Sequence, residues 1–122
     1  MQGHAIEWEQ LQSIETWTQV QQRSHANPIL LFKHSKRCGI SHMALERLET
    51  QWMNRPLPLT PIMLDLIQYR SVSNQIAQDM GVLHQSPQII LIWKNEAVFT
   101  TSHNAISVLV IASALDQLPV SS

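Results

Sequence analysis

Apolar residues in this chain follow two alternating rhythms. Ile29-Leu30-Leu31-Phe32 and Ile89-Ile90-Leu91-Ile92-Trp93 are unbroken apolar runs of strand length, the pattern of strands buried on both faces. Ile62-Met63-Leu64-Asp65-Leu66-Ile67 reads as another strand, and Ile6 to Leu11 alternates weakly, as an edge strand does. Between these runs the spacing becomes helical. Ser13 caps a helix with Ile14, Trp17 and Val20 on its inner side, ending near Asn27-Pro28. From about Cys38 to Asn54, the residues Ile40, Met43, Ala44, Leu48 and Trp52 form one apolar face, with Glu46, Arg47, Glu49 and Gln51 on the other side and Pro56 and Pro58 as the stop. Ser71 or Ser73 opens a third helix carrying Val72, Ile76, Ala77 and Met80, which closes at Gly81. A tight turn at Lys94-Asn95-Glu96 leads into a return strand, Ala97 to Thr101. Asn104 then caps a last helix with Ile106, Leu109, Val110, Ala114 and Leu115, and the tail Pro119 to Ser122 has little to hold it.

Strands alternating with helices imply a parallel sheet with right-handed crossovers, and the closing hairpin makes that sheet mixed. A chain of 122 residues, 44% of them hydrophobic, suits one domain spanning 1–122 around one core. A formal charge of −1 supplies no field for nucleic acid or for an anionic membrane surface. No apolar stretch approaches the roughly 18 residues that span a bilayer. A lone cysteine makes no internal disulfide, and the first residues lack the basic and apolar regions of a secretory signal, so the cytoplasm is the expected compartment.

The candidate chemistry centres on that cysteine, Cys38, placed between an apolar strand and an amphipathic helix. The free N–H groups and positive dipole end of a helix start favour a thiolate, and Lys36 and Arg37 add positive charge just before it. Gly39 contributes a backbone N–H, and Ser41 is placed either to donate to the thiolate or to satisfy the helix end. With no second cysteine, a mixed disulfide on Cys38 has to be resolved by an outside thiol. His34, Cys38 and His42 lie four apart, but only Cys38 and His42 would share a helical face, and two ligands make no structural metal site, so no metal and no cofactor are expected. His84 falls in the loop before Pro87 and borders the expected substrate position; His103 has no clear part. Arg70 either forms a surface ion pair or reaches the site to hold a carboxylate. Asp65 reads as an exposed strand-end residue without a role, and Trp8, Trp17, Trp52 and Trp93 as packing residues.

A cysteine opening the second helix and a proline just before the hairpin are the two active-site marks of the thioredoxin-like fold, and Cys38 and Pro87 match them. The expected class is therefore α/β: a thioredoxin-like fold with a central mixed sheet of four to five strands flanked by helices. In that fold the proline is cis and faces the cysteine, which implies that backbone groups of Ser86 align the substrate. More narrowly, the chain resembles the YtxJ-type monothiol bacilliredoxins. The resemblance rests on Leu31-Phe32-Lys33-His34-Ser35, on Cys38 with Ile40-Ser41, on Asp65 to Arg70 with Ser73-Asn74-Gln75-Ile76-Ala77, on Gly81 to Gln88, and on Thr101-Ser102-His103. It implies a thiol-disulfide oxidoreductase that removes bacillithiol from mixed disulfides on client proteins, with Cys38 as nucleophile and bacillithiol as co-substrate. With that co-substrate, the carboxylate open to Arg70 is one of bacillithiol's malate group, the surface ion pair remaining the alternative. One departure stands at the site: the family's usual Thr-Cys-Pro-Ile-Ser reads Arg37-Cys38-Gly39-Ile40-Ser41 here. That change approaches the Cys-Gly-Phe-Ser signature of monothiol glutaredoxins, which hold an iron-sulfur cluster with glutathione, although no Gly-Gly pair follows the hairpin. A thioredoxin-fold binding module with a silent thiol is the non-enzymatic alternative.

Overall fold

The computed structural model describes residues 6–118. Five strands form one mixed sheet in the order β1-β3-β2-β4-β5. They are β1 (Glu9–Gln10), β2 (Ile29–His34), β3 (Thr60–Asp65), β4 (Gln88–Trp93) and β5 (Glu96–Ser102). The helices are α1 (Ile14–Arg23), α2 (Gly39–Asn54), α3 (Arg70–Met80) and α4 (Val108–Asp116), with a 3-10 turn at His103–Ala105. Strands β1, β3 and β2 run parallel through the crossovers α1 and α2, while β4 is antiparallel to both β2 and β5. The expected mixed α/β sheet is present, with five strands.

Alternation along β2 splits the core in two. Leu30 and Phe32 join Ile89, the α2 residues Ala44, Leu48 and Trp52, and Ile106 with α4. Ile29 and Leu31 join Ile62, Leu64, Ile90 and Ile92 under Trp17 and Val20 of α1 and Val72 and Ile76 of α3. Each central strand is thus covered on both faces, which is why it reads as continuous apolar sequence. The β4–β5 hairpin closes through Lys94 and Asn95, both at positive φ (52° and 62°), the geometry of a two-residue turn whose twist matches its strands. Ser24 anchors that turn, since its carbonyl and hydroxyl accept the N–H groups of Lys94 (2.9 Å) and Asn95 (2.8 Å).

Several boundaries differ from the sequence reading. Strand β1 keeps only two paired residues of the expected Ile6–Leu11 run. Helix α1 ends at Arg23, and Ser24, still helical in its dihedrals, leads through turns to Asn27. Strand β3 ends at Asp65, whose carboxylate accepts the N–H groups of Ile67 and Gln68 (both 3.2 Å) and so bends the chain. Neither Ser71 nor Ser73 caps α3: its cap is Tyr69, and both serines lie inside the helix. Gly81 does close α3, in the left-handed conformation (φ 65°). Asn104 falls in the 3-10 turn, and the cap of α4 is Ser107, whose hydroxyl accepts the Val110 N–H. Ile40 and Met43 leave the expected apolar face of α2 and are exposed, as is Leu109 on α4. The tail 119–122 lies outside the described residues.

Candidate active site

The parallel strands β2 and β3 end at one edge of the sheet, where antiparallel β4 begins. In register, Lys33 sits between Leu64 and Gln88, and His34 beside Asp65. The segments Ser35–Cys38, Leu66–Arg70 and Leu83–Pro87 therefore gather at this edge. The end of β5 joins them, because the His103 N–H donates to the Pro87 carbonyl (3.1 Å).

Cys38 is the N-cap residue of α2 and has an extended backbone (φ −111°, ψ 118°). Its N–H donates to Ser35, its carbonyl accepts the His42 N–H, and its side chain makes no cap hydrogen bond. The half-buried thiol thus occupies the place where a capping oxygen normally accepts first-turn N–H groups. Gly39, the first helical residue, is exposed, with nothing within 4 Å of where a Cβ would lie. The site keeps the first turn open on its outer side.

The structure gives the charged and hydroxyl neighbours specific partners. The ammonium of exposed Lys36 lies 3.6 Å from the Asp65 carboxylate, and Arg37 is exposed. The fully buried Ser41 hydroxyl accepts the Ser35 N–H (3.1 Å) and lies 2.6 Å from His34 Nδ1. Ser41 therefore fastens α2 to the end of β2, with partners that neither of its two sequence readings named. The His34 ring packs edge-on against His42, with centroids 5.0 Å apart, and His42 Nε2 lies 2.7 Å from the Lys36 carbonyl. These two histidines thus meet, although the spacing puts only Cys38 and His42 on one helical face. Burial, and then the neighbouring His42, holds the His34 imidazole below its usual range. Among the described residues, no group of three or more His, Cys, Asp or Glu is arranged to hold a metal ion.

On the other face of β2, Lys33 is completely buried and donates to the Ser73 carbonyl (3.3 Å). Burial pushes its amine from 10.5 down to about 8. The Ser86–Pro87 peptide bond, just before β4, is cis. Gln88 is buried beside Lys33 and donates to the Leu83 carbonyl (3.0 Å). His84 is half-buried, and its imidazole is held below its usual range first by burial and then by Lys33 and Arg70. Exposed Arg70, the first residue of α3, forms no ion pair among the described residues. Lys33, Ser73 and Gln88 went unassigned in the sequence; the available signal was a lysine and a glutamine flanking apolar runs. A surface groove between β5 and α4, lined by Val98, Phe99, Val110 and Ala114, contains none of the residues at the cysteine edge.

This sheet order, with one thiol opening α2, places the chain among thioredoxin-fold thiol oxidoreductases. The chain belongs to the monothiol bacilliredoxin BrxC family, whose model matches residues 9–111. A solved thioredoxin-fold protein provisionally assigned as an oxidoreductase superposes with a TM-score of 0.76 at 29% identity, over 88% of this chain and 92% of its own. The thioredoxin Mala s 13 of Malassezia sympodialis (TM-score 0.71, 14% identity, 95% and 94% coverage) shares the fold. So does thioredoxin NaTrxh of Nicotiana alata (TM-score 0.71, 13% identity, 98% and 99% coverage). Among the described residues no helix is long and apolar enough to cross a membrane.

Proposed function

We propose that this thiol oxidoreductase removes bacillithiol from mixed disulfides on client proteins in the cytoplasm. The observation that carries the reading is Cys38 at the uncapped start of α2, in a chain of the monothiol bacilliredoxin family. The Cys38 thiolate attacks the bacillithiol sulfur; a Cys38–bacillithiol disulfide forms, the client–bacillithiol disulfide breaks, and the electron pair leaves on the client thiolate, which takes a proton from water. A second low-molecular-weight thiol then displaces bacillithiol from Cys38, because the chain has no other cysteine to do so. In this reading Lys36, Arg37, Gly39 and Ser41 support the thiolate end of α2, Ser41 by fixing the helix to β2. Ser86 and Pro87 align the incoming disulfide, with His84 and Arg70 beside it. Exposed Ile40, Met43 and Leu83 supply apolar contact for a client surface. Bacillithiol is the co-substrate removed from the client, and the cycle needs no metal, nucleic acid or membrane.

The test is intact-protein mass spectrometry of the reduced protein after incubation with oxidised bacillithiol or, separately, oxidised glutathione. A single bacillithiol adduct that forms faster than the glutathione adduct, and is absent in Cys38→Ser, is the expected result. Faster glutathione adduction, or a coloured cluster in the purified protein, would move the assignment to a glutaredoxin-type role; no adduct at all would leave a binding module.

A further inference from the structure

Five buried side-chain polar atoms lack a hydrogen-bond partner among the described residues, and four of them belong to Ser73, His84, Ser86 and Gln88. Ser73, Gln88 and His84 neighbour Lys33, and Ser86 lies in the same loop as His84. Ser73 supplies the carbonyl that binds its ammonium, Gln88 is its cross-strand neighbour, and His84 and Ser86 lie in the loop that Gln88 ties down. Ser73 and Gln88 are at most 3% exposed, so their free oxygens are withheld from bulk water. Buried polar atoms are normally paired, and such a concentration marks a place kept for something other than stability. Lys33 sharpens the point. A lysine is almost never fully buried without a carboxylate, and among the described residues this one is bonded to a carbonyl. The carboxylate at this edge, Asp65, is already engaged by Lys36 and by two backbone N–H groups.

We propose that Lys33 is the specificity-determining charge of this site. Its buried ammonium, with Arg70 at the surface, holds positive potential under the 83–88 loop and so selects disulfides that carry carboxylates. The lysine touches no substrate. It acts through the loop it supports, and the surrounding protein screens its charge less than water would. The His84 imidazole on that loop is held below its usual range first by burial and then by both cations. The inference rests on the thiol-exchange reading above and adds the residue that sets the preference for its anionic co-substrate.

Reduced protein is reacted with two aromatic disulfides that release coloured thiols: dianionic dithiobis(nitrobenzoate) and uncharged 4,4'-dithiodipyridine. The ratio of the two rates cancels any change in the intrinsic reactivity of Cys38. Lys33→Met should lower the anionic-to-neutral ratio about fivefold, the scale of one partly screened charge, and Lys33→Arg should restore it. Added salt should compress the ratio in the unaltered protein more than in Lys33→Met. If Lys33→Met does not fold, Lys33→Gln serves for the same comparison. Equal ratios with and without the lysine, on a reactive Cys38, would overturn the role of Lys33 and leave thiol exchange standing. A Cys38 inert to both reagents would remove the thiol-exchange reading, and this inference with it.

Discussion

Replacing Lys33 by methionine should make the protein more stable at neutral pH. The substitution keeps an unbranched chain of similar length and removes only the charge. In the folded state burial pushes the Lys33 amine from 10.5 down to about 8, so at pH 7 the fold must hold an ammonium that it disfavours. The gap between the two values, at about 1.4 kcal/mol per pH unit, corresponds to about 3 kcal/mol. Losing the hydrogen bond to the Ser73 carbonyl (3.3 Å) returns about 1 kcal/mol. The expected net gain is therefore about 2 kcal/mol. The pH dependence has a fixed sign. Between about pH 8 and pH 10.5 the unfolded chain binds more protons at this residue than the folded one, so wild-type stability rises with pH across that window. Lys33→Met lacks this rise, and the two proteins should converge near the upper end. Urea unfolding followed by tryptophan fluorescence at pH 7 and pH 10 measures both effects, and titrations shared by the two proteins cancel in the difference. A variant less stable than wild type at pH 7, or a gap that does not narrow by pH 10, would refute the reasoning.

The remaining predictions concern the supports of the site and fold. Ser41→Ala should cost about 2 kcal/mol in the same unfolding assay, because it strands the buried Ser35 N–H and His34 Nδ1, while Cys38 remains open to alkylation. Ser107→Ala should cost about 1 kcal/mol and Asn104→Ala almost nothing; the reverse order would return the cap of α4 to Asn104. Gly81→Ala should cost about 1 kcal/mol in thermal unfolding through the positive φ alone, since nothing lies within 4 Å of the added methyl. His34 resists protonation when folded, so stability should fall as pH drops below about 6.5; His34→Asn, which keeps a polar atom near Nδ1, should flatten that decline in urea midpoints measured from pH 7 to pH 5.

What the sequence made legible follows from how local each signal is. Strands β2 and β4 declare themselves because burial on both faces leaves no room for polar alternation. Gly81 and the positive-φ turn at Lys94-Asn95 are local backbone demands, and both were readable at about their true places. The start of α4 is a tertiary decision. Asn104 and Ser107 are both good caps, and the choice falls to Ser107 because Ile106 is fully buried and its carbonyl is held by Arg47 Nε (2.9 Å). Arg47 also binds the His103 carbonyl (3.1 Å), fixing the 3-10 turn from a helix 56 residues earlier in the chain, which no local pattern reveals. Cys38 itself was legible because a lone thiol between a strand and a helix is a local arrangement.

The polar surroundings of that thiol were harder to read for a reason that bears on function. Lys33 and His34 follow an apolar run and look like the solvated end of a strand, yet both are buried, at 0% and 3% exposure. Pairing with β3 continues through His34, and the Leu66 N–H still donates to the His34 carbonyl (3.1 Å), so the sheet reaches past the apolar run. Alternation then sends Lys33 toward α3 and the 83–88 loop, and His34 toward Ser41 and His42 of α2. One strand end thus places a cation-bearing side chain on one face of the sheet and a neutral-favouring imidazole on the other, with Cys38 just beyond. An apolar residue at Lys33 would have given a more stable core, by about 3 kcal/mol before its lost hydrogen bond is counted. A polar strand end that stability disfavours fits the proposed part of this sheet edge in disulfide exchange.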